Sequence, residues 1–378
     1  MPQSLESANA LLPRMIEAVQ LLVRTESPTH DLAACANIAE VAAALTGEWL
    51  QSPARIEVHD GCPVLRWGPA QPRVLLLGHL DTVWPAGTLS RLPAQLSDGQ
   101  LTGPGVFDMK AGIVQALAAV TLLISQGVDV AAVGLLLTTD EETGSRASRG
   151  VIAAAITKAK AVLVFEPSAG GALKTERKGT SWYRIKFHGR AAHAGLDPER
   201  GINATVEAAA FVLATQAWGD QGTGTTVTPT LLNSGSTANT VPVLAELTLD
   251  VRAWTATEQQ RIDAKVRTWR ANHPEARIEI DGGIDRPPLE LSASAGLFAL
   301  AKKVADELGL PELTSCAVGG ASDGNLTAAA GVATLDGLGA VGDGAHADHE
   351  WASAPAMAER AALTAGIIKA MLNGEVND

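Results

Sequence analysis

The sequence predicts an α/β protein: a mostly parallel, doubly wound catalytic domain into which a small α+β sandwich of four strands and two helices is inserted. Three observations predict it. Apolar runs of strand length at 73–78, 131–137 and 161–165 alternate with helix-length segments, the mark of a parallel sheet built from βαβ units. Each run stops at a polar group that could do chemistry (His79, the pair Glu141 and Glu142, and Glu166), and open α/β sheets gather such groups at the carboxyl ends of their strands. From about residue 178 the texture changes to alternating strands, and a helix at 293–308 resumes the first pattern. A chain of 378 residues also exceeds what one core commonly holds. The expected division is 1–178 with 292–378 for the large domain and 179–291 for the insertion.

Taken in order, residues 11–22 carry apolar side chains at helical spacing, and 31–50 form an Ala-rich helix entered through Pro28-Thr29-His30-Asp31. Residues 55–67 alternate as strand and turn. After the buried strand 73–78 comes Gly103-Pro104-Gly105-Val106-Phe107-Asp108-Met109-Lys110, whose glycines indicate a tight backbone path into an apolar helix at 113–125. A helix at 148–158 separates the next two strands. The insertion reads as strand 180–188, a loop at 189–195 carrying His193, helix 203–218, strands 225–233 and 242–254, helix 255–272 and strand 276–281. Pro287-Pro288 mark the way back. A polar loop at 319–325, a short strand at 333–336, a loop at 342–351 carrying His346 and a closing helix from Pro355 complete the chain. No internal repeat or low-complexity tract is visible.

Composition narrows the function. A net charge of -12 and a pI near 5.2 argue against nucleic acid or anionic membrane as partner. Pro2, Glu6, Pro13, Arg14 and Glu17 interrupt any apolar stretch in the first twenty residues, so a cytoplasmic protein is expected. Cys35, Cys62 and Cys316 are odd in number and widely spaced, which suits neither a disulfide framework nor a thiolate metal site.

The chemistry centres on Thr139-Asp140-Glu141-Glu142-Thr143. Two adjacent carboxylates at a strand end need a cation or an unequal sharing of protons to separate their roles. His79 and Asp81, two apart on an extended chain, point to the same side, so one can bind a metal while the other orients it. Alone, such a pair is common in solvated turns, and Asp108 alone could merely cap the helix after it. Together, His79, Asp108, Glu142, Glu166 and His346 supply two imidazoles and three carboxylates from five loops. That set suits two divalent metal ions sharing one carboxylate. Oxygen and nitrogen ligands without cysteine favour zinc, with cobalt or manganese able to occupy the same positions.

The ordered motifs Gly-His-Leu-Asp-Thr-Val, Gly-Pro-Gly-x-x-Asp-Met-Lys-Ala-Gly, Thr-x-Asp-Glu-Glu-Thr-Gly-Ser, Glu-Pro, Ala-His-Ala-Gly and Gly-Ala-His-x-x-x-Glu run nearly end to end. In these the chain resembles the dinuclear zinc aminoacylase and carboxypeptidase family, which includes glutamate carboxypeptidase, succinyl-diaminopimelate desuccinylase and acetylornithine deacetylase. The resemblance implies that Asp108 bridges the metals, with His79 and Glu166 completing one site and Glu142 and His346 the other. It makes Glu141 the general base and Asp81 the orienting partner of His79. It also implies a homodimer formed through the inserted lid domain, in which His193 reaches a neighbouring subunit's site and donates to the developing oxyanion. Asn239 and Arg252 match positions that hold the carboxylate of the released amino acid; a turn asparagine and an exposed strand arginine are the plain alternatives. Arg177 and Lys178 read as a solvated basic pair, Asp323 as support for the site, and Glu350 as a residue orienting the His346 loop. The Gly-Ala-His context favours His346 over His349 and Asp348.

The expected activity is metal-dependent cleavage of an amide bond to release a C-terminal amino acid, most like a glutamate carboxypeptidase acting on a small N-acyl amino acid or peptide. An N-acyl amino acid deacylase or a dipeptidase is the alternative within the same chemistry. A non-catalytic metal-containing binding protein is the alternative of another class, and Glu141 beside an intact ligand set speaks against it.

Overall fold

The computed structural model describes residues 3–374. They form two compact units: one runs to Glu176 and resumes with Glu290–Val318 and from Ser322 onward, the other comprises Arg177–Leu289 and Gly319–Ala321.

The first unit opens with α1 (Gln3–Arg24) and α2 (Leu32–Leu50), then a hairpin of β1 (Arg55–His59) and β2 (Cys62–Trp67). Helix α1 begins earlier than its apolar spacing predicts and continues through Pro13, because Leu5 and Ala8 are buried in the same core as Met15, Val19 and Leu22. Asp31 caps α2 by accepting from the backbone of Ala33 and Ala34. Next come β3 (Val74–His79), the short β4 (Leu96–Ser97) and β5 (Gln100–Thr102), α3 (Ala111–Ser125), β6 (Val133–Thr138), α4 (Arg149–Ala155), β7 (Ala161–Val164) and β8 (Leu173–Arg177).

The second unit contributes β9 (Gly179–His188), α5 (Ala204–Thr215), β10 (Thr226–Ser234), β11 (Leu244–Ala253), α6 (Ala256–Thr268) and β12 (Arg277–Arg286). Its strands form an antiparallel sheet in the order β10-β11-β9-β12. Alternation puts Tyr183, Ile185 and Phe187 of β9 and Leu247, Leu249 and Val251 of β11 on one face, where they meet Phe211 of α5 and Ile262 and Val266 of α6. Strand β12 is longer than predicted: it passes through Gly282 and Gly283 and shifts register between Ile284 and Arg286, so the glycines mark an irregularity rather than the end of pairing.

Back in the first unit are α7 (Leu291–Leu308), β13 (Ser315–Val318), α8 (Asp323–Ala329), β14 (Ala333–Leu335), β15 (Gly342–Asp343), β16 (Trp351–Ser353) and α9 (Ala354–Leu372). The main sheet has the order β1-β2-β6-β3-β7-β14; β6, β3, β7 and β14 are parallel and β2 is antiparallel to β6. It is covered on both faces. Val74 and Leu76 join a core with α1, α3 and α9, whereas Leu75 and Leu77 pack with Val151 and Ile152 of α4. The stretch Val106–Ser125 is long and apolar enough to cross a membrane, but most of it is buried in that core. Segment 319–325, expected to be all loop, contains the start of α8: Ser322 accepts from Gly324 N, and Asn325 returns the bond to Ser322 N.

Candidate metal centre

Three neighbouring parallel strands deliver the first side chains. His79 is the last residue of β3, its register partner on β6 is Thr138, and Leu77 pairs with Val164 on β7. Continuing each strand by a few residues therefore brings Glu141 and Glu142 to one side of His79 and Glu166 to the other. Glu166 Oε1 lies 3.5 Å from His79 Nε2. Asp81 turns back beneath this edge, fully buried, with Thr29 donating to it at 2.9 Å. It also accepts from the backbone N–H of Glu141 at 3.3 Å and of Glu142 at 3.2 Å. Its Oδ1 is 3.5 Å from His79 Nδ1, whose shorter contact, 3.0 Å, is to the Asp81 carbonyl. One buried aspartate thus fixes both the imidazole and the glutamate pair.

The remaining groups arrive through a part of the fold that strand patterning did not reveal. A small sheet of order β15-β16-β5-β4 ties the C-terminal hairpin to the segment before Asp108, with Trp351 paired to Thr102 and Ala352 to Leu101. The hairpin's loop carries His346, in the left-handed region at φ 63. It also carries Glu350, fully buried, which accepts from Gly105 N at 2.9 Å, Phe107 N at 2.9 Å, Asp108 N at 3.1 Å and Trp84 Nε1 at 2.7 Å. Gly105 has φ 74, and a side chain there would meet Thr82 at 2.5 Å, so glycine is required for the loop to close against the His79 strand. Gly112 serves the same end: a Cβ would collide with the carbonyl of Phe165, so its absence lets α3 and the Asp108 turn approach Glu166.

The result is a continuous cluster. Asp108 Oδ1 is 3.3 Å from His79 Nε2, and its Oδ2 is 3.5 Å from His346 Nε2, which in turn is 3.3 Å from Glu142 Oε1. Two groups of three meet the spacing of a cation site: His79, Asp108 and Glu142, and His79, Glu141 and Glu166. These cut across the sets that the resemblance implies, because Glu141 itself stands within ligand distance of His79 and Glu166. All five ligand candidates and both supporting acids, Asp81 and Glu141, are brought together within the first unit.

Electrostatics shows what the cluster lacks. Burial alone would lower the His79 pKa, but Asp108, Asp81 and Glu166 outweigh it and hold the imidazole well above its ordinary range. His346 is pushed up to about 10 by its bonds to Asp108 and Glu142. Burial would raise Asp108, yet His346 and His79 hold it far below the usual carboxylate range. Burial raises Glu142, against the lowering pull of its bond to His346. Each imidazole is held toward its charged form by the carboxylates around it, and the two imidazoles with those carboxylates form a donor set for divalent cations. The residues fit such ions.

Several contributors were not singled out from the sequence. Trp84 anchors to Glu350, and only its place just after His-Leu-Asp-Thr-Val hints at a role. Asp140 holds the loop after the glutamate pair by accepting from Ala147 N at 2.8 Å and Ser148 N at 3.2 Å. Lys110, fully buried, donates to Thr25 O at 3.1 Å, and burial lowers it to about 8. Asp323, which the sequence did single out as support for the site, is buried and accepts from Ser145 and, at 3.5 Å, from Thr138, bracing the strand end behind the glutamates.

The second unit carries the other three predicted residues. His193 is exposed, and its Nδ1 accepts from Gly195 N and Leu196 N, both at 3.1 Å, which leaves the proton on Nε2. Asn239 adjoins it, its carbonyl accepting from Ala194 N at 2.9 Å. Arg252 lies near the far end of β11, beyond eight residues of strand from Leu244, or about 27 Å at the usual antiparallel rise. It binds Asp250 through Nε and Nη2, both at 2.9 Å, and stacks over Trp182. Within one chain, then, Asn239 and Arg252 flank the same extended strand, at opposite ends.

A family model described as peptidase family M20/M25/M40 matches residues 75–370. Carboxypeptidase G2 of Pseudomonas sp. (strain RS-16) is 30% identical over 375 residues, covering 94% of this chain and 89% of that one. A succinyl-diaminopimelate desuccinylase of Psychrobacter sp. (strain PRwf-1) is 28% identical over 296 residues, 72% of each chain. The M20 family metallo-carboxypeptidase Sso-CP2 from Sulfolobus solfataricus shares the fold with a TM-score of 0.70 at 15% identity, over 98% of this chain and 99% of that one.

Proposed function

The chain belongs to peptidase family M20/M25/M40 and is a metal-dependent amide hydrolase that releases a C-terminal amino acid; from that premise we propose that its preferred leaving group is a dicarboxylic amino acid such as glutamate. His79, Glu166 and Asp108 would hold one zinc ion, and Glu142, His346 and Asp108 a second. Bound there, such ions supply Lewis acidity and make water a competent nucleophile near neutral pH. Glu141 takes a proton from the attacking water and passes it to the leaving amine nitrogen. Asp81 keeps His79 and the glutamate pair in register.

The observation that carries the reading is the Asp81 bracket. It holds Glu141 and Glu142 by consecutive backbone N–H groups, and their side chains enter two different three-residue clusters, Glu142 with His79 and Asp108 and Glu141 with His79 and Glu166. His193 Nε2 donates to the carbonyl oxygen as charge develops on it, and Asn239 and Arg252 hold the carboxylate of the leaving amino acid. Their separation along β11 supports a homodimer in which residues 179–291 act as lid and dimerisation domain and one subunit lends His193 and Asn239 to the other. Three free cysteines among the described residues suit a cytoplasmic setting. The Arg252–Asp250 pair favours a second reading, a deacylase for amino acids with one carboxylate, because that guanidinium is already neutralised. Release of amino acids from a panel of N-acyl and peptidyl substrates, with and without chelator, tests both. Glutamate derivatives should lead, and equal rates for neutral amino acids would leave the second reading.

A further inference from the structure

Among the described residues, Asp81 receives its shortest hydrogen bond from outside the cluster: the Thr29 hydroxyl donates to its Oδ2 at 2.9 Å, against 3.3 Å from Glu141 N and 3.2 Å from Glu142 N. Thr29 lies between α1 and α2, in a segment whose sequence reads only as the entry to a helix. In the fold that segment is a short strap along the loop that carries Asp81 off β3. The Ser27 hydroxyl donates to Leu80 O at 2.7 Å, Thr82 N to Ser27 O at 2.9 Å and Thr29 N to Thr82 O at 3.1 Å, which makes a parallel bridge of Pro28 and Thr82. On its other side the strap is tied to α2: Asp31 N donates to Pro28 O at 2.9 Å, and the Asp31 side chain caps the helix. With the Thr29 backbone held from both sides, a single torsion places its hydroxyl, and a β-branched residue has little freedom there.

A hydroxyl has one proton to give, and Thr29 Oγ1 lies 2.9 Å from Asp81 Oδ2 and 3.2 Å from Thr82 O. The carboxylate oxygen is both the nearer and the charged acceptor, so the proton goes there. Both residues are buried, which makes water a poor substitute for the bond. Oδ2 is thereby engaged by Thr29 and Glu142 N, and Oδ1 is left facing Glu141 N and His79 Nδ1. An aspartate carboxylate turns easily about its Cβ–Cγ bond, and the Thr29 donation opposes that turn. We propose that Thr29 is a positioning residue of the metal centre: its hydroxyl fixes the plane of the Asp81 carboxylate and, through it, the His79 imidazole and the turn of Glu141 and Glu142. The inference rests on the reading of His79 and Glu142 as metal ligands and adds the group that orients their common support.

Two substitutions separate the hydroxyl from the shape of the side chain. Thr29→Val keeps the branch and removes the donor, whereas Thr29→Ser keeps the donor and removes the methyl group. Zinc affinity of the full-length protein, read by chelator competition, should weaken about tenfold or more in Thr29→Val and stay close to the wild-type value in Thr29→Ser. Circular dichroism and melting of the metal-free proteins establish that each variant folds. Thr29→Ala removes donor and methyl together and should bind zinc as weakly as Thr29→Val, so the contrast with Thr29→Ser survives if valine is not accommodated. A role in packing alone gives another order, because serine leaves a methyl-sized gap and valine does not. Zinc affinity in Thr29→Val equal to wild type, or Thr29→Ser weakened as much as the variants without a hydroxyl, would overturn the assignment of Thr29 and leave the metal centre standing. A wild type that takes up no zinc would overturn the ligand reading and the inference with it.

Discussion

Glu350 receives the backbone N–H of Asp108 at 3.1 Å, across 242 positions of sequence, and so ties the hairpin that bears His346 to the turn that bears the bridging candidate. The same carboxylate takes three further donors, from Gly105, Phe107 and Trp84. Replacing Glu350 with alanine would leave four buried N–H groups without their acceptor, at about 1–3 kcal/mol for each that water cannot reach. Glu350→Ala should therefore unfold at markedly lower temperature, and Glu350→Gln, isosteric but uncharged, should fold while binding metal about 10–100-fold more weakly. Chelator competition reads the second effect. Unchanged metal affinity in Glu350→Gln would separate the residue from the centre.

Glu141 and Glu142 occupy adjacent positions yet should answer differently to the same substitution. Glu141→Gln is expected to keep its metal and lower kcat by about 10²–10⁴-fold, the usual weight of a positioned acid–base group. Glu142→Gln should lose metal first, and activity through that loss. Because Glu141 also stands within ligand distance of His79 and Glu166, metal analysis of Glu141→Gln is decisive. A drop to half the wild-type content would make Glu141 a ligand and leave the base to be found elsewhere.

Removing the metal should reverse the pH dependence of stability. In the metal-free protein His346 binds its proton up to about pH 10, against 6.5 for an ordinary histidine, and His79 shifts the same way. A group whose pKa is raised by folding contributes its full stabilisation below its unfolded value and loses it as pH climbs through the folded one. Asp108 is shifted down, so its share is present above the ordinary carboxylate range and lost as pH falls through and below it. These groups make the chelated protein most stable between about pH 4 and 6.5 and progressively weaker toward pH 10. Bound cations must displace the imidazole protons, so their contribution grows over the same interval. Calorimetric melts at pH 6 to 9.5, with chelator and with saturating zinc, should diverge as pH rises. Parallel curves would mean the imidazoles do not face the cation sites.

Much of the fold was legible because its signals are local. Strands β3, β6 and β7 are continuous apolar runs that end at His79, Thr138 and just before Glu166, and burial on both faces leaves such runs little alternative. What stayed hidden depends on contacts distant in sequence. Nothing near Leu101 announces that it will pair with Ala352, and two- or three-residue strands carry no periodicity to detect. Helix α8 was masked by Ser-Asp-Gly-Asn, a turn composition that here supplies a capping box, Asn325 filling the place where glutamate or glutamine is the familiar signal. The separation of Asn239 and Arg252 stayed hidden for a different reason: motif matching preserves sequence positions and says nothing of the strand length between them.

That strand length leads to the sharpest test of assembly. If His193 and Asn239 serve the metal centre of a second copy, each active site is composite, and two inactive subunits can restore each other. Glu141→Gln keeps an intact His193, and His193→Ala keeps an intact Glu141. In a mixed dimer one site has both defects and the other has neither. Equal amounts of the two variants, unfolded and refolded together so that subunits redistribute at random, should recover about one quarter of wild-type activity, since half the dimers are mixed and each has one whole site. Neither variant refolded alone should recover any. The recovered kcat/KM per intact site should match the wild type, because the chemistry there is unaltered. A mixture as inactive as its components, while sedimentation shows that mixed dimers have formed, would place His193 in the service of its own subunit and remove the reason for lending it across an interface.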